Sequence, residues 1–515
     1  MKLKYLLIAL IFNIANSNPI QEANENITST SDGAPVNASD DLPMDILTNI
    51  AEMLGSVQTQ STVQSEPVFP DCSILSEEIK EEVRSHQHTV DRIINYLLYG
   101  QHKGLTYTTL GKFLDAFGPR MSGTEALESS INATLEAARL EGFDDVHTED
   151  VQVPHWVRNQ ESAVMVEPRV KTLTILGLGS SIGTPPGGIV AQIIVVRSFD
   201  ELQAVARHVA GKIVVYNQPF DNYFQSVKYR TRGAVEAAKL GAVAALVRSA
   251  ASFSINSPHT GNQKYEDGVK KIPVACITIE DAKMLQRLTD IDGLEVFVNL
   301  SMGAVNLPDA TSRNTIIDWR GTSRPEDVVV ISGHIDSWDV GAGAMDDAAG
   351  CFISYHANLV LKRLRLRARR TVRTIWFTGE EQGLYGGYEY FKKHRNESEN
   401  YQLLLESDKG TFNPKGIGFS GSNTATCIMQ EIIKLTAKLN TTELKTRGGG
   451  PDISMWKSIG VPIGSLHLDT SKYFWFHHSD GDTLEVEDPD ILDRITALWA
   501  SVAYVAANIT ANLHH

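Results

Sequence analysis

Residues 333–383 concentrate side chains that bind cations and move protons. The stretch holds His334, the adjacent pair Asp346-Asp347 and the adjacent pair Glu380-Glu381; Asp408 follows, and far downstream comes His477-His478-Ser479-Asp480-Gly481-Asp482. Carboxylates and imidazoles with no cysteine among them let a zinc ion keep its Lewis acidity, and a set of this size suits two ions with an open position for water. The chemistry indicated is hydrolysis at a two-zinc centre.

Each group stands where an apolar run ends. The run Val328-Val329-Val330-Ile331 stops at Gly333-His334, the run 371–378 stops at Gly379-Glu380-Glu381, and the run 403–405 stops at Glu406-Ser407-Asp408. The run 461–468 precedes His478. Continuous apolar runs mark strands buried on both faces, and open α/β sheets collect ligands at the carboxyl ends of such strands. From residue 312 to a closing helix at 490–507, strand and helix patterns alternate. The fold class is therefore α/β, a doubly wound mixed sheet.

The rest of the chain divides by texture. Residues 1–17 carry Lys2 and Lys4, an apolar run at 5–12 and Ala15-Asn16-Ser17, the pattern of a signal peptide cleaved before Asn18 and too short to span a bilayer. No other stretch is apolar enough to cross a membrane. Residues 18–70 are polar, with Phe69 the only aromatic, and cannot bury enough surface to fold alone. They read either as a removable pro-segment or as a glycosylated leader. A first catalytic part, 71–173, opens on a helix capped by Ser76 and continues through Gly118-Pro119-Arg120 into a helix at 125–140. Residues 174–300 form a β/α unit of their own, with strands near 188–196, 211–216, 242–247 and 272–279 and a helix at 232–240. No ligand-type constellation lies inside that unit, so it reads as an insertion that caps or borders the site. The second catalytic part, 301–515, carries the metal ligands.

A net charge of −15 over 515 residues, with 42% hydrophobic and 21% charged side chains, fits a globular protein and excludes nucleic acid as partner. The basic cluster 362–370 is interleaved with Leu364, Leu366 and Ala368 and reads as cations at a helix end. Four cysteines are no disulfide scaffold in so long a chain, and their spacing pairs none of them. Sequons at Asn26, Asn37, Asn132, Asn299, Asn396, Asn440 and Asn508 are candidate glycosylation sites and fit secretory passage. Gly179-Ser180-Ser181-Ile182-Gly183 matches the Gly-X-Ser-X-Gly of serine hydrolases, but Pro185-Pro186 forbids the helix a nucleophile elbow needs. A catalytically silent binding protein is the other rival, and the intact set of acids and imidazoles argues against it. His356 and His394, on helices outside the motifs, read as structural.

In order and spacing, His334-X-Asp336, Asp346-Asp347-Ala348-Ala349-Gly350, Glu380-Glu381-X-Gly383, Asp408 and His478-Ser479-X-X-Asp482 resemble the cocatalytic dinuclear-zinc exopeptidases. That family includes bacterial leucyl aminopeptidases and glutamate carboxypeptidase. The resemblance implies two Zn2+ per chain: one on His334 and Asp408, the other on Glu381 and His478, with Asp346 bridging. Glu380 would be the general base and acid, and Asp336 would hold the His334 ring in its tautomer. Choosing His478 over His477 rests on the family pattern of His followed by Ser or Thr. The resemblance further implies that the insertion is of protease-associated type, that the enzyme is secreted, with lysosomal residence and a zymogen stage, and that it is a homodimer. Its substrates would be dipeptides and short peptides, with release of unsubstituted C-terminal residues; aminopeptidase action is the alternative. Gly448-Gly449-Gly450-Pro451-Asp452 and 473–476 read as pocket walls or, as readily, as a tight turn and a packed strand.

Overall fold

The run 328–331 is buried on both sides, as its composition requires. Val328 and Val330 pack with Ile316, Phe377 and Trp456, while Val329 and Ile331 pack with Phe352 and Trp499 on the other face. Removing each such side chain from water contributes about 1.5–3 kcal/mol, so a strand of this composition belongs at the centre of a covered sheet.

The computed structural model describes residues 12, 69–290 and 293–514; the expected signal peptide and polar leader, with Asn26 and Asn37, lie outside them apart from Phe12, Phe69 and Pro70. In chain order the strands are β1 (Asp145–Val157), β2 (Glu161–Glu167), β3 (Lys171–Leu173), β4 (Ile175–Gly177), β5 (Ile189–Val196), β6 (Ile213–Tyr216), β7 (Ala244–Arg248), β8 (Val274–Ile277), β9 (Phe297–Met302), β10 (Val305–Trp319), β11 (Arg324–His334), β12 (Arg370–Phe377), β13 (Tyr401–Glu406), β14 (Pro414–Ser420), β15 (Glu443–Thr446) and β16 (Ile463–Leu468). They form two eight-stranded mixed sheets, ordered β1-β10-β12-β11-β13-β16-β14-β15 and β3-β2-β9-β5-β6-β7-β8-β4. The first is covered on one face by the helices Glu125–Glu141, Ala349–Arg363, Asn423–Lys434 and Pro489–Asn508, and on the other by the helix Tyr385–His394 and the turn Ser454–Ile459.

Strands β12, β11, β13 and β16 are mutually parallel, so their carboxyl ends open on one edge. From that edge emerge His334 at the end of β11, Glu380 and Glu381 just past β12, and Asp408 just past β13. Among the described residues no helix is long and apolar enough to cross a membrane.

The second sheet takes in the strands of the unit expected at 174–300 and read as an insertion, and it extends to strands that precede residue 174. Both β2 and β3 belong to it, with Glu161 paired to Met302. It hangs from a ribbon of β1 and β10 paired from Asp145–Asp318 to Val157–Val305, a two-stranded stalk. The helix expected at 232–240 runs Tyr223–Lys239, because the Asn222 side chain accepts the Gln225 amide and starts it earlier. Ser76 caps the helix Glu77–Ser85 as expected. Cys72 and Cys427 form a disulfide that the spacing could not disclose, while Cys276 and Cys351 are free and buried. Within the basic cluster, Arg370 is buried and donates to the carbonyls of Ala506 and Ile509 at the end of the last helix.

Candidate metal centre

Asp346 is the hub of the site. Its Oδ1 lies 3.3 Å from His334 Nε2, and its Oδ2 lies 3.4 Å from His478 Nε2 and 3.5 Å from His477 Nε2. Oδ2 is buried without a hydrogen-bond partner. Asp408 stands 3.8 Å from His334 Nε2, and Glu381 Oε2 stands 2.9 Å from His478 Nε2. The donor atoms that lie close enough together to close on a cation fall into two groups sharing Asp346, one with His334 and Asp408 and the other with His477 and His478. Glu380 approaches His334 to 3.9 Å, and its side chain is the more open at 15% exposure, against 7% for Asp408.

These orientations are built, not incidental. His334 Nδ1 donates to the backbone carbonyl of Asp336 at 3.0 Å, which leaves the Nε2 lone pair facing Asp346 and Asp408. The expectation that Asp336 holds the tautomer needs this refinement: its carboxylate, 3.7 Å from the ring, instead accepts the backbone amides of Glu380 and Glu381 at 3.2 and 3.3 Å. One residue so ties the end of β11 to the loop after β12. Asp347 Oδ2 accepts the His334 amide at 3.0 Å. The turn bearing Asp346 is held by Asp482, which accepts the amides of Ala344, Met345 and Asp346. Arg120, fully buried, donates to the carbonyls of Gly118, Ile335, Ala342 and Gly343 and clamps both ligand-bearing loops. That explains the Gly118-Pro119-Arg120 motif, to which sequence reasoning assigned no role.

Crowding shows in the titration of these groups. Burial, then the Asp346 carboxylate, push Glu381 well above the ordinary carboxylate range; burial and the neighbouring acids Asp408 and Glu381 do the same to Glu380. Burial raises Asp408 to about 6 and Asp482 to about 7, with Asp346 adding to both. Burial works against a charged His334, but Asp346, Glu380 and Asp408 hold it well above its usual value. His478 is held well below its own by burial and by the adjacent His477. Packing this many carboxylates out of water is costly unless cations share the space. The donor set, the orphaned Asp346 oxygen and the aimed imidazoles all fit a pair of metal ions.

Between the two adjacent histidines, the geometry separates His478, which meets both Asp346 and Glu381, from His477, which stacks on His478 at 3.5 Å and meets Asp346. The structure gives partners to the ligand groups that sequence reasoning left without a role or did not name. Trp338 donates its indole N–H to Glu381 Oε2 at 2.7 Å, and the Tyr473 hydroxyl lies close enough to the Asp346 carboxyl to help hold its pKa down. The insertion brings Tyr223, whose ring stacks on Phe474 at 4.6 Å, and Arg230, which donates to Tyr223 Oη at 2.7 Å. Of the two suggested walls, 473–476 is a short helix beside Asp346, and the glycine turn is tight because Gly450 lies against the Glu406 carboxyl. Ser181 is buried and bonded to Ile182 O and the Val274 amide, so the Gly-X-Ser-X-Gly match is structural. His356 pairs with His102 at 2.7 Å and His394 with Glu149 at 3.0 Å, both remote from the centre. Of the described sequons, Asn132, Asn396 and Asn440 are exposed, whereas Asn299 and Asn508 are half-buried.

Residues 314–503 match peptidase family M28. Carboxypeptidase Q of Homo sapiens is 51% identical over 433 residues, covering 84% of this chain and 92% of that protein. A solved peptidase M28 precursor from Shewanella amazonensis SB2B superposes with a TM-score of 0.80 at 32% identity, over 84% of this chain and 99% of that one. A zinc aminopeptidase from Bacillus subtilis shares the fold, with a TM-score of 0.60 at 20% identity over 79% of this chain and 96% of its own.

Proposed function

The chain belongs to peptidase family M28, among the relatives of carboxypeptidase Q, and from that premise we propose that it hydrolyses dipeptides and short peptides at a two-zinc centre and releases unsubstituted C-terminal amino acids. It is a zinc-dependent exopeptidase; the pair of ions, the residue roles and the end of the peptide recognised are our reading. The observation that carries it is Asp346, whose two oxygens face separate donor groups while one of them lacks any hydrogen-bond partner.

In this reading His334 and Asp408 would hold one zinc ion, Glu381 and His478 the other, and Asp346 would be shared between them. Zinc, when bound there, supplies Lewis acidity that acidifies water and polarises the scissile carbonyl. Glu380 accepts the proton of the attacking water and returns it to the leaving amine. Its higher exposure and its 3.9 Å separation from His334 suit a group that faces the substrate. Asp336 and Asp482 keep the backbone amides of the ligand loops in place, and Trp338 orients Glu381. The N-terminal segment and the exposed sequons support passage through the secretory route, and the reading extends to a secreted or lysosomal enzyme that works as a homodimer.

The deciding experiment measures zinc stoichiometry and peptide turnover together. Asp346→Ala is expected to lose both ions and activity, and a variant that keeps two zinc ions at wild-type affinity removes Asp346 from the bridge. For the direction of attack, an N-acetylated dipeptide should still be cleaved and a C-amidated one should not; the reverse preference makes the enzyme an aminopeptidase.

A further inference from the structure

The insertion does more than border the site. Its segment 259–263 is tied to its own sheet: the Thr260 hydroxyl donates to Gly177 O at 2.8 Å, Gly179 N donates to Gly261 O at 3.0 Å, and Gln263 N donates to Gly179 O at 3.1 Å. The same segment reaches two ligand-bearing stretches of the other domain. On one side His478 Nδ1 donates to Thr260 O at 3.2 Å, a carbonyl shared with Arg230 Nη1, which donates to it at 3.1 Å and stands 3.4 Å from Nδ1; the Thr260 amide returns a bond to His478 O at 2.8 Å, and His259 Nδ1 donates to His477 O at 2.7 Å. On the other side Asn262 Nδ2 donates to Gln382 O at 2.9 Å, one residue past Glu381. Gly179 lies under the ring of Trp338, where a Cβ would come within 2.4 Å, and that ring bonds Glu381.

His478 has φ +60°, a left-handed conformation that non-glycine residues adopt only when their surroundings hold them there. The bonds that hold it include three from the insertion. By contrast, the contacts that orient His334 and Asp346 come from Asp336, Asp347, Asp482 and Arg120, all in the first and last parts of the chain.

We infer that the 259–262 segment of the insertion is a positioning element for one metal subsite only, setting the tautomer of His478 and the placement of Glu381 while the His334–Asp408 subsite stands without it. This rests on the reading of Glu381 and His478 as ligands of one ion. Outer partners of metal-bound histidines are typically worth about 10–100-fold in metal affinity, so the two ions should respond differently when the segment is loosened.

The test is zinc release from the full-length, zinc-loaded enzyme titrated with a chelator. His259→Leu removes the donor to His477 O, Asn262→Ala removes the tie to Gln382, and His259→Asn restores a donor close to the place of Nδ1. Expected are about 10–100-fold weaker binding of one ion in His259→Leu and Asn262→Ala, an unchanged second ion, and near wild-type release in His259→Asn. Equal weakening of both ions, or no weakening in a folded Asn262→Ala protein, overturns the inference. His478→Ala is run alongside: loss of one ion there with none lost in the segment variants overturns the positioning role alone, whereas retention of both ions at wild-type affinity overturns the ligand assignment beneath it.

Discussion

Asp482→Asn isolates the support of Asp346, the carboxylate proposed to bridge the ions, without touching a proposed metal ligand. In the native site Oδ1 accepts the amides of Ala344 at 3.0 Å and Met345 at 2.7 Å, and Oδ2 accepts that of Asp346 at 3.1 Å. Both oxygens must accept, so the group works as a carboxylate although burial and Asp346 push it up to about 7. An asparagine keeps one acceptor oxygen. If that oxygen serves Ala344 and Met345, its amide nitrogen faces the Asp346 N–H, donor against donor. One buried N–H left unpaired costs about 1–3 kcal/mol, and the cost falls on the residue through which both metal groups are joined. Zinc affinity should therefore drop about 10–100-fold, measured by competition with a chromophoric chelator, with urea unfolding of the metal-free protein run in parallel. A stability loss of that size with unchanged zinc affinity would show that Asp482 supports the turn but not the centre. Unchanged values of both would refute the reasoning outright.

Glu380→Gln should keep its zinc while kcat falls about 10²- to 10⁴-fold, as loss of general acid–base help does; Glu381→Gln should instead lose metal, and the opposite pattern exchanges the two roles. Glu149 links β1 to the helix Tyr385–His394, and although burial opposes its charge, His394 and Lys393 hold its carboxyl down to about 2. A depressed acid stabilises above its unfolded pKa, so Glu149→Gln should cost about 1–2 kcal/mol at neutral pH, discounted for solvent screening, and match the wild type once pH has fallen from about 4.5 to about 2. Peptide mapping of protein from secretory cells should find glycans on Asn132, Asn396 and Asn440 and none on Asn508, whose Oδ1 accepts the Arg369 amide; a fully glycosylated Asn508 would contradict its packing.

The first sheet was readable because its central strands are buried on both faces, and β11, β12, β13 and β16 all coincide with apolar runs. Pairing was not readable. Strand β2 has the same alternating texture as β1, and only its long-range register, Ala163 opposite Leu300, assigns it to the insertion. The Tyr223–Lys239 helix was truncated for a similar reason: its first turns present Phe224 and Gln225 to solvent, so the apolar period begins late although the Asn222 cap comes early. The Cys72–Cys427 bond links residues 355 positions apart and depends on how the first helices dock on Asn423–Lys434.

At the site, what the sequence discloses depends on whether a role demands a particular side chain. A metal ligand has to be an imidazole or a carboxylate, so the proposed ligands His334, Asp346, Glu381, Asp408 and His478 stand out by type and place, and the fold brings them together. The groups that aim the two imidazoles are backbone carbonyls. Asp336 O and Thr260 O accept the two Nδ1 protons, and any residue could offer such an oxygen. Nothing in the composition of 259–262 marks it as part of the centre. Its contribution exists only once the β1–β10 ribbon has placed the insertion over the histidine loop, which is why a texture-based division of the chain draws a border through a site that the folded protein builds from both sides.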